Sequence, residues 1–245
     1  MFQVTLRFYE ELNDFLPPQR RKIDFSHTLA GKTSVKDLIE SLGVPHTEVD
    51  LILVNQESVA FSYTVQPDDR ISVYPVFEAF DISAMTKLRP TPLRTTRFIL
   101  DVHLGKLAVY LRFVGCDALY RNDYQDDEIA AIAARDHRIV LTRDRKLLHR
   151  TIITHGYWIR ATDPRQQFAE VVQRFHLTFP SPFRQRCSRC NTPLAPISRE
   201  QLTAHVDPTT LAYYEEFYHC PTCDTIYWKG THYHNMLKQL GQILN

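Results

Sequence analysis

Two Cys-x-x-Cys pairs, Cys187-Ser188-Arg189-Cys190 and Cys220-Pro221-Thr222-Cys223, stand 29 residues apart near the end of this 245-residue chain. No other feature limits its fold as much. Four thiolates satisfy a tetrahedral Zn²⁺ at about 2.3 Å and leave no open position, which marks a structural rather than a catalytic site. The separation exceeds the roughly 15–20 residues usual between such knuckles, so an insertion is expected at 194–218, its acidic, aromatic part forming a small helix. Disulfides are the alternative in an oxidising compartment. The opening residues MFQVTLRFYEELND alternate and are acidic, unlike a secretion signal. No apolar run approaches the ~18–20 residues that span a bilayer. Together these point to a cytoplasmic protein with a zinc-bound tail.

The net charge of +1 hides an asymmetry. Residues 1–82 carry 7 Lys/Arg against 13 Asp/Glu, and residues 83–186 carry 18 against 10. The shift suggests separate domains, the middle one suited to a polyanion; ordinary surface variation is the plainer account. With hydrophobic residues at 44%, the chain can bury real cores and is not disordered.

Within 1–82, Val4, Leu6 and Phe8 share one face of a strand, and Ile23 and Phe25 repeat that spacing. Ser34 is placed to cap a helix with Val35, Leu38, Ile39 and Leu42 on one side, stopped by Gly43 and Pro45. Strands are expected at 51–54 and 70–74, the second after a Pro67-Asp68-Asp69 turn. This ββαββ order resembles the ubiquitin-like β-grasp, an α+β fold, and particularly its sulfur-carrier branch. Such carriers need a flexible Gly-Gly tail, and this chain has no Gly-Gly. A docking or regulatory module is therefore expected, able to engage a protein partner. Residues 83–97 read as a basic, proline-bearing linker.

Residues 95–180 alternate strand and helix, which argues for an α/β domain with a parallel sheet. Phe98-Ile99-Leu100 is a short apolar strand ending at Asp101, followed by a helix with Leu104, Leu107, Ala108, Leu111 and Val114 on one face and Gly115 at its end. A strand at 117–120 and a helix opened by Asp126-Asp127-Glu128 come next, then the strand Arg138–Thr142 and a short helix at 146–150. A strand at 157–160 and a helix at 164–175 opened by Asp163 complete the pattern.

Active crevices of open α/β sheets lie beyond the carboxyl ends of the strands. Asp101 and Asp144 each follow a strand, and Asp126 opens a helix. Three converging carboxylates repel one another unless a hard divalent cation, Mg²⁺ or Mn²⁺, neutralises them. Such a centre activates water for attack on a phosphodiester, with Lys106, Arg112, Arg143, Arg145 and Lys146 available for flanking phosphates. The plainer reading makes the aspartates helix caps and Lys106 and Arg112 the wet side of a helix. The fifth cysteine, Cys116, reads as a small buried hydrophobe.

The run Phe98-Ile99-Leu100-Asp101-Val102-His103-Leu104-Gly105-Lys106-Leu107-Ala108, with Leu111-Arg112, Gly115, Asp126 and Arg138-Ile139-Val140-Leu141-Thr142-Arg143-Asp144-Arg145, closely resembles a PIN-like RNase family. That family takes its name from the carboxy-terminal domain of the Mut-seven exonuclease. Its members often carry a ubiquitin-like domain in front and a zinc ribbon behind. The resemblance thus covers nearly the whole chain and implies three domains, at 1–82, 95–180 and 183–245. It implies metal-dependent RNA cleavage, with acidic ligands at Asp101, Asp126 and Asp144. Many PIN nucleases have a fourth acidic residue, for which Asp127 and Asp163 are the nearest candidates. Val109 replaces a basic residue often found there.

On this reading Lys106, Arg112, Arg143 and Arg145 hold RNA, and His219, His232 and His234 are surface or RNA-facing. The aromatics of Tyr227-Trp228 and His232-Tyr233-His234 either stack on unpaired bases or pack the ribbon. Two alternatives stand beside the ribonuclease: a non-catalytic RNA-binding adaptor, and a toxin-like nuclease held inactive by a partner or by its own acidic head.

Overall fold

In the computed structural model the described residues are 1–75, 87–88, 96–179, 185–202 and 206–244. Most of the expected linker at 83–97 lies outside them. The chain divides into two compact units, residues 1–95 with 130–158 and residues 96–129 with 159–245.

The first unit begins with a five-stranded β-grasp. Strands β1 (Phe2–Phe8), β2 (Phe25–Leu29), β3 (Val49–Val54), β4 (Glu57–Ser58) and β5 (Arg70–Pro75) lie in the order β2-β1-β5-β3-β4. The outer pairs are antiparallel, and β1 and β5 at the centre run parallel. Helix α1 (Val35–Ser41) starts where its sequence predicts, with the Asp37 amide donating to Ser34 Oγ at 3.1 Å. It ends at Gly43, whose φ of +90° is a left-handed conformation that a β-carbon disfavours. Val4, Leu6 and Phe8 alternate inward and meet Val35, Leu38 and Ile39 of α1 and Ile71 and Val73 of β5. Full burial of each such side chain stabilises by about 1.5–3 kcal/mol. Ile23, by contrast, lies outside the strand and is exposed.

The same unit contains the end of α3 (Asp126–Asp136), then β8 (Ile139–Thr142), α4 (Arg145–Leu148) and β9 (Gly156–Trp158), with β8 and β9 parallel. Strand β8 is buried throughout, as its unbroken apolar run predicts. The β-grasp packs directly on this segment. His46 Nε2 donates to the Ile153 carbonyl at 2.9 Å, and Trp158 N–H donates to Glu48 Oε1 at 2.6 Å. The approach at Gly156 is close: a β-carbon there would lie 2.5 Å from Leu148 Cδ2 and 3.4 Å from Thr47 Oγ1, so a larger residue would have to displace the Leu148 side chain.

The second unit holds β6 (Arg97–Leu100) and β7 (Asp117–Leu119), a parallel pair joined through α2 (Gly105–Phe113). Gly115, with φ +96°, closes α2 as expected. Helix α5 (Pro164–Arg174) is capped by Asp163, whose Oδ1 accepts from the Arg165 and Gln166 amides, and it packs against α2. Beyond it come β10 (Ala195–Ile197), α6 (Pro208–Tyr213), β11 (Phe217–His219), β12 (Ile226–Trp228) and α7 (Thr231–Leu244), with β10-β11-β12 an antiparallel sheet. The insertion between the knuckles contains a small helix, α6, but not in its acidic, aromatic part as expected: Glu215 and Glu216 lie beyond the helix, and Phe217 opens β11. Among the described residues no helix is long and apolar enough to cross a membrane.

Candidate functional sites: a cysteine quartet and strand-end aspartates

Cys187, Cys190, Cys220 and Cys223 converge, their sulfurs all within 4.8 Å of one another. The separations are 3.4 Å for Cys187–Cys223, 3.3 Å for Cys190–Cys220 and 3.8 Å for Cys190–Cys223. These exceed the disulfide length of about 2.05 Å and approach the ~3.8 Å expected across a tetrahedron with 2.3 Å bonds. None of the four is in a disulfide. The quartet fits a zinc ion.

The two knuckles repeat one backbone design. Each second cysteine is followed by a residue of positive φ, Asn191 at 70° and Asp224 at 56°, and then by a threonine. Thr192 O accepts from Cys187 N at 2.8 Å, and Thr225 O from Cys220 N at 3.0 Å. Asn and Asp are the residues that best tolerate this left-handed turn after Gly. Tyr227 completes the surroundings, its hydroxyl 3.1 Å from Cys187 Sγ and accepting from Ser188 N at 3.2 Å. Cys116 takes no part, and burial pushes its thiol up to about 12.

Arg112 is where the sequence reading needs correction. It is only 2% exposed and does not lie on the wet side of α2. Its Nε donates to Ala118 O at 2.7 Å, and its Nη atoms donate to Ser188 O at 2.8 Å and Tyr120 O at 3.3 Å. The guanidinium is committed to backbone carbonyls and does not face RNA phosphate. With Asn191, which donates to Asp117 Oδ1 and accepts from Ala118 N, and Arg186, which donates to Gly115 O, it fastens the first knuckle to the α2–β7 corner. Burial lowers its pKa from the usual arginine value, against the raising influence of the cysteines and Asp117.

Of the aspartates, Asp101 stands immediately after β6, in extended conformation, and is 5% exposed. It occupies the cap position of the 3₁₀ turn Val102–Leu104, yet its side chain makes no capping bond there. Asp144, after β8, does cap, its Oδ1 accepting from Lys146 N at 2.8 Å. Asp126 is exposed at the start of α3, next to Asp127. Asp163, a candidate fourth ligand, holds the N-terminus of α5.

Lys106 and Arg143 are exposed, as a phosphate contact requires, and so is Lys146. Arg145 is held differently. Its guanidinium carbon lies over the rings of Trp158 and Phe15, 3.7 Å and 5.2 Å from their centres. Sequence reasoning missed Phe15, Glu48 and Trp158, which bind the β-grasp to the strand and helix around Arg145. The available signal was an acidic Glu48 beside a strand, which reads equally well as a surface charge.

A family model described as the Mut7-C RNAse domain matches residues 96–240, and one described as Mut7-C ubiquitin matches residues 1–81. No curated protein and no solved structure matches the chain.

Proposed function

The chain belongs to the Mut7-C RNase family, and from that premise we propose that it is a metal-dependent ribonuclease hydrolysing RNA phosphodiester bonds. Asp101, Asp126 and Asp144 would hold Mg²⁺ or Mn²⁺, for which three carboxylates are the matching hard donors. Such an ion, when bound, lowers the pKa of a coordinated water and offsets charge developing on the phosphate.

The observation that carries the reading is Asp101. It is a buried carboxylate standing directly after a strand, where active crevices form in α/β sheets. Lys106 and Arg143 contact the phosphates on either side, and Arg145, stiffened by its ring contacts, adds a fixed positive charge. The cysteine quartet carries zinc and keeps the tail folded as a ribbon that grips RNA. On this reading the domain limits are 1–82, 95–180 and 183–245. The exposed face of the head is free to engage a protein partner, and the compartment is the cytoplasm.

Cleavage of single-stranded RNA with Mn²⁺ present tests the reading. Asp101→Asn and Asp144→Asn abolish product while RNA affinity is kept. An adaptor without catalysis would bind RNA and release no product in the unaltered protein.

A further inference from the structure

The near-neutral charge of the tail conceals a segregation. After Cys187 every carboxylate falls between Glu200 and Asp224. On either side, residues 171–199 and 225–245 contain no Asp or Glu and carry seven Lys/Arg. A cleft open to solvent lies where these two stretches meet α2. Apart from Val109 and Phe113 of α2, every described residue lining it belongs to one of the two acid-free stretches.

The cleft is also aromatic. Trp228 is 38% exposed. A β-carbon on Gly230 would stand 2.6 Å from Nε1, so the ring lies against bare backbone. Tyr214 and Phe217 back it, with ring centres 6.5 Å and 6.3 Å away. The other rings are already engaged within the protein, Tyr227 by its hydroxyl near Cys187 and Tyr233 by packing on Phe113 at 5.3 Å. Arg186 is held by Gly115 O and Asn191 O, which sets a positive charge at the edge, and His232 is exposed beside it.

We propose that this cleft takes an unpaired base of an RNA strand, stacked on Trp228, with a neighbouring phosphate beside Arg186. A stacking ring accepts every base, and a fixed positive charge at the edge attracts the backbone, which together suit single-stranded RNA without sequence preference. The proposal rests on the reading of RNA as substrate, but it concerns binding and not cleavage.

The test is fluorescence anisotropy of a short labelled single-stranded RNA with the full chain and no added Mg²⁺ or Mn²⁺, compared with an abasic strand of equal length. Trp228→Ala weakens binding of the base-bearing strand by roughly 5- to 150-fold. It leaves the salt slope unchanged, because stacking releases no counterions. The abasic strand binds both proteins alike. Gly230→Ala, which keeps the indole but displaces it, gives a loss of the same kind, and Trp228→Phe restores most of the affinity. Unchanged RNA affinity in Trp228→Ala, as expected if the cleft seats a peptide, overturns the proposal. So does an equal loss on the abasic strand. A chain that passes this test yet never cuts RNA refutes the nuclease reading alone.

Discussion

The Arg145 guanidinium carbon sits 3.7 Å from the centre of the Trp158 ring, and Phe15 of the β-grasp approaches it from another direction at 5.2 Å. The residue next to a candidate metal ligand, Asp144, is thus held in part by the N-terminal domain. A planar guanidinium stacks on a ring in a way that an ammonium does not. Arg145→Lys therefore keeps the charge and loses the stack, lowering stability by about 1 kcal/mol in urea unfolding. An unchanged midpoint would remove the stack from the account.

Glu48 is fully buried and accepts the backbone N–H of Trp158 in β9. Its carboxylate does for that amide what a neighbouring strand would do. Replacing it by Ala leaves the amide without this acceptor, at about 1–3 kcal/mol. Hydrogen exchange at the Trp158 amide should quicken accordingly. Protection equal to that of the unaltered protein would mean that the head is not an integral part of this edge.

Arg112→Gln tests the corrected role of that residue. The carbonyls of Ala118, Tyr120, Ser188 and Arg189 lose a charged donor, and stability falls by about 3 kcal/mol. The salt slope of RNA binding stays constant. A slope reduced by about 1 would restore Arg112 to the phosphate contacts.

The cysteines separate by chemistry. With metal bound, iodoacetamide at pH 7.5 leaves all five unmodified, since coordination masks four and burial holds the Cys116 thiol up near 12. Chelation unfolds the tail and exposes four alkylation sites, read by intact-mass spectrometry. Alkylation of Cys116 in the loaded protein would contradict its placement.

What the sequence made legible was mostly local. Ser34 and Asp163 cap the helices predicted for them, and Gly43 and Gly115 end theirs, because each depends on neighbours within a few residues. The cysteine quartet was legible because two spaced pairs encode one tetrahedron. Strand β4 was not, being two residues long after a turn at Asn55 and Gln56 that lacks the usual glycine. Arg112 was misread because the partner that buries it, the Ser188 carbonyl, lies 76 residues away, and helical periodicity cannot register such a contact. The contacts of Glu48 and Phe15 with Trp158 and Arg145 are hidden for the same reason. At Asp101 the pattern gave the position. That the cap is not made became visible only in three dimensions.

The central claim is that carboxylates from separate stretches of chain act together in cutting RNA. The most direct measurement follows product from a single-stranded RNA with Mn²⁺ for the unaltered chain, Asp101→Asn and Asp144→Asn, with circular dichroism and RNA affinity recorded on the same samples. The account predicts cleavage by the first and none by either variant, at unchanged fold and binding. Full cleavage by both variants would contradict it.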